Sequence, residues 1–202
     1  MKDFVTPNAG RRATLLGMSP LALLTLSGCL GGGTSGTSTV GGSVVKGPLS
    51  NALVGLDYDG DGVVDSTKVR TDADGNFSLR STQENFTVIA VTDGRTIDSS
   101  SGTVLSGITL KAPSGATVVT PTTTLMNEGG LTAAQVSDVL GLPEGVDPLT
   151  FNAFAAGVNA ADALAVEKAS QQIMNVVNAF ASAAEGSGAS RSDAFEAALN
   201  SV

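Results

Sequence analysis

The sequence predicts an α+β chain, with a small β-sandwich over residues 43–119 followed by a helical region over residues 120–202. Two observations carry that reading. From Ser43 to Val119 the chain offers about seven short runs of β-branched and apolar residues separated by Gly, Pro, Asp and Asn, the spacing of a sandwich. Beyond Pro121 the apolar residues recur at three- and four-residue intervals, the spacing of helices. A third observation locates the chemistry. An acidic stretch, LDYDGDGVVDSTKVRTDADGNF, fills positions 56–77 in the middle of the strand-like part.

The chain begins with a positive segment carrying Lys2, Arg11 and Arg12, then an apolar run from Leu15 to Leu26, then Leu26-Ser27-Gly28-Cys29. The run is too short for a permanent membrane span and has the layout of a cleaved signal. The ending LSGC resembles the lipobox of bacterial lipoproteins. That resemblance implies that residues 1–28 are a lipoprotein signal peptide and that Cys29 becomes the lipidated first residue. The membrane is then a partner, because three acyl chains exceed the two-signal requirement for stable anchoring. Leu30 rather than Asp after the cysteine resembles outer-membrane sorting, so the expected location is the cell envelope, facing the periplasm or the surface. Arg11-Arg12 with Leu15-Leu16 loosely resembles a twin-arginine signal, but Thr14 stands where an aromatic is usual, and Sec export is the alternative. A secreted protein with an incidental cysteine is the plainer reading of the same residues. Residues 29–42 are dominated by Gly, Ser and Thr and read as a flexible tether with a reach of ~20 Å.

The strand signals then follow in order. Val44-Val45 precedes a turn at Lys46-Gly47-Pro48, and Ala52, Val54 and Leu56 alternate up to the acidic loop. Lys68 to Thr71 leads into a hairpin turn at Asp74-Gly75, with Phe77 and Leu79 alternating after it. Asn85–Val91 reads as a buried strand, Thr103–Leu105 and Ile108–Leu110 frame Gly107, and Ala116–Val119 completes the set. With Phe77 and Phe86 among few large side chains, the core is small.

Within the acidic stretch, Asp57, Asp59, Asp61 and Asp65 occupy positions 1, 3, 5 and 9 of a D-x-D-x-D-G-x-x-D loop, with Gly62 at position 6. Alternate carboxylates on a tightly turning backbone converge, and a hard cation takes six to eight oxygens at short range. Calcium is therefore the expected ion, with Asp57, Asp59, Asp61, Asp65 and the backbone carbonyl of Val63 as ligands. Magnesium suits such a loop less well, since it demands octahedral geometry and keeps its waters. Position 12, where an EF-hand places Glu, is Lys68, so further oxygens must come from elsewhere. Asp72 and Asp74 are the nearest candidates, although an Asx turn followed by an ordinary Asp-Gly turn explains them equally. A solvated Asp/Gly turn is the plain alternative for the whole loop.

Thr132 with Gln135 forms a capping box opening a helix to Leu140, which Gly141 and Pro143 stop. Asp147-Pro148 reads as another helix start leading to Phe151 and Phe154. A long helix is expected from Asn159 to Ala184, with Leu164, Ala169, Ile173, Val176, Val177, Phe180 and Ala184 as its apolar stripe. Ser190 and Asp193 open a last helix that reaches Val202 without a cap, the pattern of a fragment or early-terminated relative of something longer. The helices are expected either as a small bundle or as a layer on the sandwich.

Composition excludes several chemistries. There is no His, so neither a Ser-His-Asp nor a Cys-His triad can form, and no His-ligated metal site exists. Cys29 is the only cysteine, which removes intramolecular disulfides. Net charge is −8, and about −10 without residues 1–28, which argues against nucleic acid as a partner. A glycosidase would need paired carboxylates across a cleft with aromatic platforms, and the chain has no Trp and one Tyr. The run Thr120–Thr124 could offer a nucleophile, but it lacks a neighbouring base and reads as a strand end entering a helix cap.

The segments VVKGPLSNALVGLDYDGDGVVD and TDADGNFSL resemble the repeat unit of prealbumin-like modules in bacterial surface proteins, including carboxypeptidase regulatory-like and collagen-adhesin B-type modules. The run from Thr117 to Leu125 is similar to a segment that follows such modules in large calcium-associated surface proteins. The resemblance implies an Ig-like or prealbumin-like sandwich and a non-enzymatic adhesion or structural role. A glycan or surface protein would be the partner. The alternative is a carbohydrate-binding or scaffold accessory of a cell-envelope enzyme.

Overall fold

The computed structural model describes residues 36–199 and Ser201; Cys29 and the signal-like segment before it lie outside the described residues. The strands are β1 (Ser38–Val44), β2 (Leu49–Ser50), β3 (Leu53–Asp57), β4 (Val69–Arg70), β5 (Asn76–Ser81), β6 (Thr87–Asp98), β7 (Thr103–Pro113) and β8 (Val118–Val119). The helices are α1 (Pro121–Gly129), α2 (Ala133–Leu140), α3 (Ala160–Gly186) and α4 (Arg191–Leu199). The chain is thus of the α+β class.

β1 is the middle of a three-stranded sheet, antiparallel to β5 and parallel to the short β8. The second sheet has five strands around β6. β7 runs antiparallel along one edge of β6, while β3 and β2 share the other edge, and β4 pairs the outside of β3. The two sheets enclose Val44, Leu49, Val54, Leu56, Leu79, Val88, Leu110 and Val119 in a sandwich-like arrangement.

Several elements differ from the sequence expectation, each for a local reason. Ser38–Gly42, expected as the end of the tether, form the first part of β1. Their glycines serve close approach: a Cβ on Gly42 would lie 2.5 Å from the Thr117 carbonyl oxygen and 3.2 Å from the Phe77 ring. The turn at Asp72–Asn76 does not close a hairpin, because β4 pairs β3 in one sheet and β5 pairs β1 in the other. It carries the chain across the sandwich, tied by Val44 N–H donating to the Gly75 carbonyl at 2.8 Å. The expected strand at Asn85–Val91 extends to Asp98 through irregular register near Asp93, and the two runs flanking Gly107 are one strand.

Pro121–Gly129 forms a helix where Thr120–Thr124 reads as a strand end entering a helix cap, opened by a Thr120–Thr123 capping box with Pro121 in the first turn. α2 runs as expected, from the Thr132–Gln135 box to a left-handed Gly141. Asp147 caps only a single turn, in which its carboxylate accepts from Leu149 N–H and Thr150 Oγ1. The Leu149 carbonyl then accepts from Thr117 and Val118 N–H, so the segment finishes a sheet edge instead of propagating a helix. α3 begins at an Asn159 cap as expected, but its buried face is Val166, Ala169, Ile173, Met174, Val177 and Ala181. Leu164, Val176 and Phe180, expected in the stripe, are exposed.

The helices share the sandwich core. Ile173, Met174 and Val177 of α3 and Ala194, Phe195, Ala198 and Leu199 of α4 belong to the same buried cluster as the strand residues. Phe195 heads the fully buried side chains by volume, so α4 contributes the bulk that the aromatic-poor strands lack. Among the described residues no helix is long and apolar enough to cross a membrane.

Candidate metal centre

The acidic loop leaves β3 at Asp57 and is closed by main-chain geometry. Asp65 and Ser66 N–H both donate to the Leu56 carbonyl, and Leu56 N–H donates to Ser66 Oγ at 2.8 Å. Gly55 in the middle of β3 makes room for the loop, since a Cβ there would lie 2.2 Å from Val64 Cγ1. The returning half of the loop therefore folds down over its own strand. Gly60 and Gly62 adopt positive φ of 80° and 83°, the left-handed turns that the convergence of alternate side chains requires.

Asp57 is only 3% exposed. Its Oδ1 accepts from Gly60 N–H at 2.7 Å and Asp59 N–H at 3.2 Å, and its Oδ2 accepts from Gly62 N–H at 2.9 Å. Asp59 and Asp61 are exposed, and each accepts one loop N–H, from Asp61 at 3.2 Å and Val63 at 2.7 Å. Each Asp thus turns the chain two residues further on, so the carboxylates are aligned by the backbone they organise. One oxygen from each of Asp57, Asp59 and Asp61 lies within 4.8 Å of the other two. Oxygens about 2.4 Å from a shared cation would be at most ~4.8 Å apart, so this group could hold a metal ion. No Lys or Arg among the described residues lies within ion-pair distance of these three carboxylates.

Asp65 is not in that close group; its Oδ2 accepts from Tyr58 N–H at 2.8 Å across the loop. Val63 has an exposed side chain. Asp72 is an Asx-turn residue: its Oδ1 accepts from Asp74 and Asn76 N–H at 2.9 and 2.8 Å. The Asn76 N–H, followed by the Asn76 side chain, holds the Asp72 carboxyl below its ordinary range. Asp72 and Asp74 stand in the sheet-crossing turn and not with the Asp57 group.

A buried charge group that the sequence did not announce lies against the loop. Lys111 of β7 is 7% exposed, with Nζ 2.9 Å from Glu128 of α1 and 3.5 Å from Glu196 of α4. A Cβ on Gly62 would lie 3.8 Å from Glu196 Oε1 and 3.9 Å from Lys111 Nζ. Burial pushes the ammonium's pKa down, but Glu128 and Glu196 outweigh it, so Lys111 stays charged. The backbone of Lys111 is held from α1, where Thr123 Oγ1 donates to its carbonyl and Thr124 Oγ1 accepts its N–H, both at 2.9 Å. The hydroxyls of Thr123 and Thr124 are thereby engaged in pinning α1 to the sheet, whereas Thr122 Oγ1 is buried with no hydrogen-bond partner among the described residues. Glu196 lies 85 residues from Lys111 in sequence, so no local pattern could have paired them.

Comparison with protein-family models, with curated proteins and with solved structures gave no match.

Proposed function

We propose that the chain is a non-enzymatic surface module whose body, a prealbumin-like or Ig-like sandwich, is stiffened by calcium in the loop Asp57, Asp59, Asp61, Val63 and Asp65. Lipid on Cys29 would hold it to the outer membrane, and its role would be adhesion or structural support on the cell surface. The observation that carries the ion is the convergence of three carboxylates within 4.8 Å, one of them nearly fully buried, without a basic partner. Like charges so placed repel unless a cation sits among them. The lack of His removes a His-dependent triad and a His-ligated metal from the chemistry open to the chain.

Calcium binding only to the folded state adds RT ln(1 + [L]/Kd), about 2.7 kcal/mol at a hundredfold excess over Kd. For a domain of this size that raises Tm by roughly 5–10 °C. The double substitution Asp59→Asn, Asp61→Asn keeps both turn acceptors and removes two charged ligands. Thermal unfolding with calcium and with chelator should show the rise in the parent chain and its loss in the variant. The two should melt within a degree or so of each other in chelator. A parent chain whose Tm ignores calcium would sink the proposal.

A further inference from the structure

The two left-handed glycines of the acidic loop face different surroundings. Nothing lies within 4 Å of a Cβ placed on Gly60, whereas one on Gly62 would meet Glu196 Oε1 at 3.8 Å and Lys111 Nζ at 3.9 Å. Gly62 N–H is also the donor to Asp57 Oδ2, at 2.9 Å. The residue that helps fix the buried carboxylate of the ion group is therefore the residue laid against α4.

Lys111 is shared unequally, with Nζ 2.9 Å from Glu128 Oε1 and 3.5 Å from Glu196 Oε1. One ammonium cannot neutralise two carboxylates, so the group keeps one negative charge. The more distant and half-exposed Glu196 presents that charge to the loop. Asp57, Asp59 and Asp61 bring like charge to the same contact, and a divalent cation among them would cancel two of their charges and relieve the repulsion. The attachments of α4 make Glu196 the sensitive one. Arg191 ties the start of the helix to α3, donating to Glu185 at 2.9 Å and to Asn178 at 2.8 Å. The middle of the helix reaches β7 through the Glu196–Lys111 pair, next to the fully buried Phe195.

We propose that the ion in the Asp57 loop and the docking of α4 are coupled through Glu196, so that calcium tightens the last helix and the docked helix raises the loop's affinity for calcium. The coupling rests on the calcium reading of the loop given above. By linkage the two effects are one quantity: the factor by which calcium favours the docked helix is the factor by which docking favours calcium. Couplings between sites usually run to about 5–150-fold, and a half-exposed carboxylate screened by water belongs at the low end, at about fivefold. The consequence reaches the core, because Ala194, Phe195, Ala198 and Leu199 of α4 all belong to it.

The test is amide hydrogen exchange of the isotope-labelled full chain at low salt, in calcium chloride and in chelator, beside calorimetric titration of calcium. Amides of Phe195–Leu199 should slow on calcium addition about fivefold more than those of Val136–Leu140 in α2, which register overall stabilisation. Glu196→Gln keeps the side chain's length and removes its charge. It should bring the slowing of α4 down to that of α2 and weaken calcium binding about fivefold. Each variant is compared with itself, with and without calcium, so a lower intrinsic stability of Glu196→Gln leaves the readout intact. Asp193→Asn removes another charge from the same helix and should change neither quantity. A parent chain that takes up no calcium removes the ion and the coupling with it. Calcium uptake with equal slowing of α4 and α2, or with undiminished affinity in Glu196→Gln, leaves the ion in place and overturns the coupling alone.

Discussion

Asp57 has two tasks that pull on the same oxygens. It caps three backbone N–H groups of its own loop and offers an oxygen to the group shared with Asp59 and Asp61. Removing it would damage the loop with or without an ion, so Asp59 and Asp61 are the better probes of the metal. Lys111 poses the opposite case, a cation taken out of water and held by two carboxylates. Replacing it by Met leaves Glu128, with a side chain only 15% exposed, facing no positive charge. Truncating one partner of a buried pair costs about 3–5 kcal/mol, toward the low end here because Glu196 stays half in water. Urea denaturation should show Lys111→Met destabilised by about 3 kcal/mol and the double variant with Glu128→Gln restored by more than half. Equal stability of Lys111→Met and parent would show that the ion group is dispensable. The D-x-D-x-D-G register was legible because it depends on neighbours two to five residues away. The Lys111 group was not, because β7, α1 and α4 meet only in the folded chain.

At the scale of elements, small residues mark where strands press on other main chain. Gly75 has φ 82°, and a Cβ there would lie 2.7 Å from the Val44 carbonyl oxygen and 3.1 Å from Leu49 N. Gly115 has φ 87° with nothing within 4 Å. Gly115→Ala should therefore cost about 1 kcal/mol of backbone strain alone, and Gly75→Ala about 2–4 kcal/mol because two strands must also separate. Chemical denaturation of both variants reads the difference, and equal losses would contradict the sheet-crossing role of the turn. The Asp-Gly signal identified a turn at this place, yet it could not say that the flanking strands join different sheets. α2 and the start of α3 were readable from their caps, since capping is local. Ala169, Ile173 and Val177 of the expected α3 stripe are buried, but Leu164, Val176 and Phe180, apolar by type, are exposed, because packing against α1 and α4 buries Val166, Met174 and Ala181 instead. The Gly and Thr residues of β1 read as tether because composition reports flexibility in an unfolded chain, not the close approach that β5 and β8 impose.

Across the whole molecule, one core runs from both sheets into α3 and α4, so the helices complete the strand body. The acidic loop sits where these parts meet: it leaves β3, folds over Gly55, and lays Gly62 against the Lys111–Glu196 pair that ties β7 to α4. An ion there would fix the loop against strand and helix together, which gives a small, aromatic-poor core a mechanical brace. Isothermal titration of calcium into the chelator-stripped full chain tests this most directly. The account predicts one calcium per chain, little displacement by equimolar magnesium, and loss of the binding heat in Asp59→Asn, Asp61→Asn. Absence of any saturable heat up to about 10 mM calcium would contradict it.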